Sequence, residues 1–266
     1  MELKISAAGL LIYMGMALYL AALIVSSAKR LKPARFFIAL AFLDAAVLFV
    51  FRWIGAGHLP MQTMFEVFLS LALVVPLISF LGKVIDVPRN NLTLGVDAVI
   101  GLLVLFPAGF IFSETTQQLP PALQCPLFGP HVLAYMLAYA VYAKAALLAG
   151  LCLFFTVFDK SRMPEYERAS YRLACLGFPL LTAGLLLGSV WGKIAWGDWW
   201  GWDPKELSGL ACWTMYLFYF HWRKLFGLRL PRLNCFWLLM GFVLIILTLL
   251  VVNLSAIFHG LHNYAS

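Results

Sequence analysis

Five histidines and nine tryptophans carry most of the chemistry this sequence offers, and five of the tryptophans fall in one segment. That segment runs Trp191-Gly192-Lys193-Ile194-Ala195-Trp196-Gly197-Asp198-Trp199-Trp200-Gly201-Trp202-Asp203-Pro204-Lys205-Glu206. Imidazole binds metals through a neutral ring nitrogen and titrates near neutral pH. Indole is a flat apolar ring with a single N–H donor, at home at a membrane interface. An interfacial aromatic belt is therefore the bland account of the cluster. A belt has no need of interrupting glycines, whereas Gly197 and Gly201 let the backbone fold tightly beneath flat rings. Such a surface suits a large planar ligand.

The elements that must hold this segment are helices in a membrane. The 266 residues are 63% hydrophobic and 12% charged, against roughly 45–50% and about 25% in soluble domains. The apolar residues come in blocks of about 18 to 26, the length a helix needs to cross ~30 Å of hydrocarbon. Continuous runs such as Leu238 to Leu250 lack the alternation of a transmembrane barrel strand. The expected fold is all-α, a polytopic integral membrane helix bundle of about eight transmembrane helices. Its spans fall near residues 6–27, 36–53, 64–82, 92–112, 132–158, 173–191, 207–222 and 234–258. No soluble domain fits between them, so residues 1–266 read as a single membrane-embedded domain. The first block resembles a signal peptide in having small residues at its end. Its length, and the cluster Lys29, Arg30, Lys32 and Arg35 directly after it, make it a retained span.

A formal charge of +7 raises nucleic acid as a partner, but the basic residues are distributed by loop. Of 19 Lys and Arg, 14 lie in the breaks after spans one, three, five and seven. Lys4, Arg52, Lys193 and Lys205 lie on the opposite side or at the ends, and Lys144 lies within a span. The positive-inside rule then puts both termini on the outer side. The partner is the lipid bilayer, with no nucleic acid. There is no CxxC pair, and Cys152, Cys175, Cys212 and Cys235 read as small hydrophobes in or near spans.

Alternating topology places His58, His131, His259 and His262 outside, level with the tryptophan segment. His221 lies about 20 Å below it, at a rise of ~1.5 Å per residue. The pattern Trp196-Gly197-x-x-Trp200-x-Trp202-Asp203-Pro204-Lys205-Glu206 resembles the signature of the WWD-domain heme-handling proteins of cytochrome c maturation. His131 before it, Tyr219-Phe220-His221-Trp222-Arg223 after it, and the ending Gly260-Leu261-His262-Asn263-Tyr264-Ala265 resemble the CcsA, or ResC, branch of System II. With Gly57-His58-Leu59-Pro60 and Phe65-Glu66, the likeness covers nearly the whole chain.

The resemblance implies a multi-pass protein of the bacterial cytoplasmic (inner) membrane, its tryptophan loop on the periplasmic side. Such a protein relays heme b across the membrane and presents it, reduced, for covalent attachment to apocytochrome c. It also implies a CcsB or ResB partner, the two together forming a membrane cytochrome c synthase (heme lyase) of which this chain is the heme-binding subunit. By position, His131 and His262 would be axial ligands of the outer heme and His221 a ligand of an inner one. Trp191, Trp196, Trp199, Trp200, Trp202 and Asp203 would form the binding surface. Imidazole is a standard axial ligand for heme iron. The thioether chemistry belongs to heme and substrate thiols, so no catalytic residue is assigned.

Bland alternatives stand beside each of these roles. His131 and His262 also read as solvated interfacial histidines, His221 as a marker of the inner interface, and His259 competes with His262 as second outer ligand. Asp203-Pro204-Lys205-Glu206 reads as an N-cap, a first-turn proline and a first-turn acid, which would fix the shelf beside it. Lys205 and Arg52 are both candidates to pair with a heme propionate. Asp97 is expected to snorkel to the inner surface, whereas Lys144 requires a partner or a wet cavity. Three rival functions remain: a CcmC-type loader of an outer heme chaperone, a diheme transmembrane electron-transfer protein, and a solute transporter with aromatic gates, which requires no heme.

Overall fold

Inside hydrocarbon every backbone N–H and C=O must be satisfied within the chain, so each apolar block is expected to close on itself as a helix. The computed structural model, which describes residues 3–82 and 84–252, shows this throughout. The elements are α1 (Ala7–Ser27), α2 (Leu31–Ala56), α3 (Met64–Leu81), α4 (Asn91–Phe110), α5 (Phe128–Phe158), α6 (Met163–Trp196), α7 (Pro204–Phe226) and α8 (Pro231–Ile246). The last continues as a π-helical stretch over Leu247–Val252. No strand occurs among the described residues. Among the described residues, seven helices are long and apolar enough to cross a membrane. The eighth, α7, has the length, but Lys205, Glu206, His221, Arg223 and Lys224 crowd its two ends.

Four helices, α2, α5, α6 and α7, outrun the spans expected from hydropathy, α2 and α6 by the most. α2 begins at Leu31 rather than near residue 36, and α6 covers 34 residues from Met163 to Trp196. At 1.5 Å per residue α6 is about 51 Å long, well beyond the hydrocarbon thickness. Its polar beginning, with Glu165, Glu167, Arg168 and Arg172, is built from good helix formers that hydropathy cannot see. At its other end Trp191 to Trp196 are helical, so the irregular part of the tryptophan segment is only the short stretch before Pro204.

The chain divides into two compact units, Met1–Pro120 and Pro121–Ser266. In the first, α1 packs on α2 and α4, and α3 packs on the same two helices. A buried ion pair ties α2 to α3: Arg52 Nη2 lies 2.9 Å from Glu66 Oε1, and Glu66 is wholly inaccessible. Asp97 is buried in α4 instead of snorkelling.

In the second unit α5 lies along α6 and α8, and α7 packs mainly on α8. Its centre is a pair of stacked tyrosines, Tyr142 of α5 and Tyr216 of α7, with ring centroids 3.7 Å apart. Gly177 and Gly241 admit those rings, since a Cβ would meet Tyr142 at 2.9 Å and Tyr216 at 2.7 Å. One end of this unit is knitted by Glu167. Its carboxylate accepts Arg223 Nε and Nη2 at 2.9 and 3.0 Å and Asn234 Nδ2 at 2.9 Å, joining α6, α7 and α8. Lys144 is buried in α5 of this unit.

Candidate functional site: a histidine against a pinned tryptophan loop

His131 stands in the first turn of α5, where the missing N–H of the preceding Pro130 costs the helix nothing. Its Nδ1 lies 2.8 Å from the carbonyl oxygen of Gly184 on α6. A carbonyl only accepts, so Nδ1 carries the proton and, in the neutral ring, Nε2 carries the lone pair. The ring stacks on Trp191 at 5.6 Å and 29°, and Tyr135 meets it edge-on at 5.1 Å and 86°. α6 allows this approach because Gly188 has no side chain. A Cβ there would lie 2.5 Å from His131 Cε1 and 2.9 Å from Nδ1.

Trp191 is the anchor of the aromatic cluster. It is 2% exposed and donates its Nε1–H to the carbonyl of Ala122 at 2.9 Å. Trp196, one turn and a residue later, meets it edge-on at 4.7 Å and 62°. α6 then stops at Gly197, whose φ of +89° is the left-handed conformation that ends helices at glycine. Lys193 Nζ donates to the Gly197 carbonyl and closes the exposed helix end.

The loop that follows is fastened to both neighbouring helices. Ser189 Oγ of α6 donates to the Trp199 carbonyl at 2.8 Å. Glu206 Oε2 of α7 accepts the N–H of Gly201 at 2.8 Å and that of Asp203 at 3.1 Å. Asp203 Oδ1 accepts the Lys205 N–H at 2.8 Å, so Asp203 and Glu206 form a capping box with Pro204 in the first turn. The helix start read from Asp203-Pro204-Lys205-Glu206 is therefore present. Trp202, between the two clamped N–H groups, has φ +57°. That conformation costs a bulky L-residue about 1–2 kcal/mol. The backbone is held while the rings stand out: Trp199 is 57% and Trp202 68% exposed, with Trp200 edge-on to Trp202 at 6.1 Å.

Burial and charge also shape this edge. Lys205, in the first turn before the apolar stretch of α7, has its ammonium pushed down to about 8 by burial, with Asp203 pulling it partly back. Asp203, expected as a binding residue, is buried and works as the helix N-cap.

His131, Trp191, Trp196, Trp199, Trp200 and Trp202 all lie within the second unit, joined through α6 and its loop. His221 is in the same unit but at the other end of α7, roughly 25 Å from Pro204 by helix rise. It is exposed, and its Nδ1 lies 2.8 Å from the Leu217 carbonyl, which gives it the same tautomer as His131. His259 and His262 lie outside the described residues.

His58 belongs to the first unit, with Nδ1 and Nε2 each 3.1 Å from a carbonyl, those of Leu59 and Gln117. Its ring thus lies between its own loop and the one that carries Gln117, and the neutral imidazole donates to one of these two carbonyls. Arg52 is engaged within the first unit. It donates to Glu66 Oε1 at 3.0 Å and to the carbonyls of Glu114 and Thr115 at 2.6 and 3.1 Å, three of its five N–H donors.

Four residues that shape the site carry little signal of their own in the sequence: Gly184, Gly188, Ser189 and Glu206 in its loop-clamping role. The small-xxx-small spacing of Gly184 and Gly188 is the clue that was available, because it marks close approach of another helix within a membrane.

A multi-helix bundle of apolar helices that sets a tautomer-fixed histidine beside a fastened, ring-presenting loop defines a polytopic membrane protein with an aromatic-lined edge. The particular family follows from the whole chain. Residues 5–259 match the model of the family described as cytochrome c assembly protein, and the chain belongs to that family. It is 32% identical over 264 residues to the cytochrome c biogenesis protein CcsA of Prochlorococcus marinus strain MIT 9515, across 86% of this chain and 83% of that one. It is 30% identical over 258 residues to CcsA of Chlamydomonas reinhardtii (91% and 70%) and 31% over 261 residues to CcsA of Atropa belladonna (82% and 81%). The CcsA-type resemblance is thereby borne out. The protein is a multi-pass membrane protein with a role in cytochrome c biogenesis, work that implies the handling of heme.

Proposed function

We propose that this chain relays heme b from the inner to the outer side of a bacterial cytoplasmic membrane and presents it, reduced, to apocytochrome c. A CcsB or ResB subunit acts with it, and the pair constitutes the synthase. In this reading both termini and the tryptophan loop face the periplasm. His131, through Nε2, and His262 would be the residues that hold the iron. Trp191 backs His131, and Trp196, Trp199, Trp200 and Trp202 provide the shelf for the macrocycle. His221 holds heme at the inner level, before it reaches the shelf.

One observation carries the proposal: the Nδ1–H bond from His131 to Gly184 at 2.8 Å, in a cradle that only glycine at position 188 allows. Histidine ligands of metals characteristically donate their other ring N–H to a carbonyl or carboxylate, which fixes the ring and raises its basicity. An interfacial histidine has no need of such a cradle. Heme supplies the vinyl groups to which cytochrome thiols add. The chain's residues hold its iron, fix its plane and leave one edge accessible, so positioning is their contribution to rate.

The test is the absorption spectrum of the purified complex in detergent, oxidised and reduced, for wild type, His131→Ala and His262→Ala. Wild type should show a low-spin bis-histidine heme, and each variant should lose or alter it, with added imidazole restoring the signal to His131→Ala. Wild-type complex without heme, or variants with unchanged spectra, would defeat the assignment.

A further inference from the structure

The loop hydrogen bonds assign Glu206 a task that a helix cap does not require. A capping box needs the first-turn acid to reach back to the N–H of the cap residue, which Glu206 does at Asp203 (3.1 Å). The same Oε2 also accepts the N–H of Gly201 at 2.8 Å, the shorter of the two bonds. The two N–H groups flank Trp202. A single oxygen thus pulls the backbone on both sides of one residue toward a common point, and that residue has φ +57° and a ring that is 68% exposed.

We propose that Glu206 is the positioning residue for Trp202: it holds this tryptophan in the left-handed conformation and so aims its ring as the outermost part of the shelf for a planar, heme-type ligand. Three features of the loop support this. First, a tryptophan does not choose the left-handed region by itself, since only Gly and, less often, Asn and Asp enter it routinely. Strained residues persist where their surroundings over-determine them, and they cluster at ligand sites. Second, the other fastenings act elsewhere: Ser189 holds the Trp199 carbonyl and Lys193 the Gly197 carbonyl, so Glu206 alone among the described side-chain bonds brackets Trp202. Third, the ring is not absorbed into packing. Its aromatic neighbour is Trp200, edge-on at 6.1 Å and 84°, and most of its surface remains open. A contracted backbone that keeps a large apolar ring outside the core serves a partner, not the fold.

The proposal rests on the reading of the tryptophan loop as a heme shelf, and a double-variant cycle tests the two apart. Wild type, Glu206→Ala, Trp202→Ala and the double variant are expressed as full chains with the partner subunit, and heme bound per complex is measured by absorbance. Loss of one aromatic stacking surface beneath a flat ring system lowers affinity by roughly 5–150-fold. A tenfold loss is expected for Glu206→Ala alone and less than twofold on top of Trp202→Ala, because Glu206 acts through that ring. Glu206→Gln, whose amide oxygen can accept both N–H groups, should restore most of the binding. The near-ultraviolet circular dichroism of the Trp200–Trp202 pair should collapse in Glu206→Ala and persist in Glu206→Gln, with or without heme.

Equal losses from Glu206→Ala in both backgrounds would show a helix cap and nothing more. An unchanged dichroism signal in Glu206→Ala would overturn the clamp. Full heme binding by Trp202→Ala, with dichroism lost in Glu206→Ala, would instead sink the shelf role of Trp202 and leave the clamp standing as geometry without that function.

Discussion

Replacing Gly188 by alanine adds one methyl group to the middle of α6 and tests whether His131 is held for a purpose. The new Cβ would lie 2.5 Å from His131 Cε1 and 2.9 Å from Nδ1. Carbon atoms in good contact sit about 3.5–4.0 Å apart, so the imidazole must retreat by roughly 1 Å. The obstacle is helix backbone on one side and a ring stacked on Trp191 at 5.6 Å on the other, so the movement has to come from His131. Its 2.8 Å bond to Gly184 then opens past hydrogen-bonding range. The bond is worth about 0.5–1.5 kcal/mol of stability. Alanine in place of glycine within a helix returns about 0.8–1.0 kcal/mol. The two nearly cancel, and the protein should fold with a thermal midpoint close to that of wild type.

Ligation should not escape so lightly. Removing the partner that orients a ligating histidine costs roughly 10–100-fold in affinity for the metal, and Nε2, itself 3.5 Å from the added Cβ, moves with the ring. The assay is heme titration of the purified complex, with the reduced spectrum reporting axial ligation. Gly150→Ala in α5 is the control, since a Cβ there meets nothing within 4 Å. The expected result is weakened, spectrally altered heme binding in Gly188→Ala and none of this in Gly150→Ala. A Gly188→Ala complex with wild-type affinity and spectrum would refute the reasoning, because it would mean that the His131 geometry is incidental packing.

Trp202→Gly should relieve the left-handed strain and stabilise the protein by about 1 kcal/mol, seen as a raised melting temperature, while the yield of holocytochrome falls. Lys205 predicts a pH effect. Its folded value of about 8 lies below the usual lysine value, near 10.4 in an unfolded chain, so between these limits the unfolded state binds more protons and stability rises with pH. Thermal midpoints measured from pH 7 to 10.5 should climb through that window in wild type and lose the climb in Lys205→Met. Glu167→Ala removes the acceptor shared by Arg223 and Asn234. Breaking a buried pair from one side costs about 3–5 kcal/mol, and the melting temperature should drop sharply, whereas the heme spectrum of protein that remains folded should be unchanged.

Periodicity and loop chemistry made most of the architecture readable. Runs of apolar residues near 20 in length admit little but helices in a membrane, and Asp203-Pro204-Lys205-Glu206 announced the start of α7 by residue type alone. The ends of α6 were not readable in the same way. Hydropathy stops at the first charge cluster, but helix formation does not, and Trp191 to Trp196 carry the same interfacial signature whether helical or looped. His131 was legible as a candidate because it opens the span before the tryptophan motif, where the family resemblance expects a ligand. Its orientation was not, since that depends on two glycines some fifty residues away along the sequence and on the crossing of α5 with α6. The surroundings of Arg52 were not legible either. It stood out by its isolation among the outer loops, and the fold adds Glu66 and two carbonyls that the sequence does not place near it.

The second unit divides rigidity from presentation, and the division bears on how one loop can grip a ligand and release it. Stacked Tyr142 and Tyr216, with glycines against both rings, leave the interior of the unit little freedom to repack. The loop after Gly197 has no such core. It is held by point contacts to its backbone: Ser189 at Trp199, and Glu206 at Gly201 and Asp203. Contacts of that kind fix where the rings originate but leave Trp199 and Trp202 standing in the open. A shelf built in this way contributes flat area and a set direction without enclosing what lies on it, and enclosure is what would slow departure. On the proposed reading, firm attachment would fall to the histidines that hold the iron rather than to the shelf. Loss of a tryptophan should therefore weaken heme binding in proportion to contact area, whereas loss of His131 should change the identity of the complex, visible in its spectrum even where some heme remains bound.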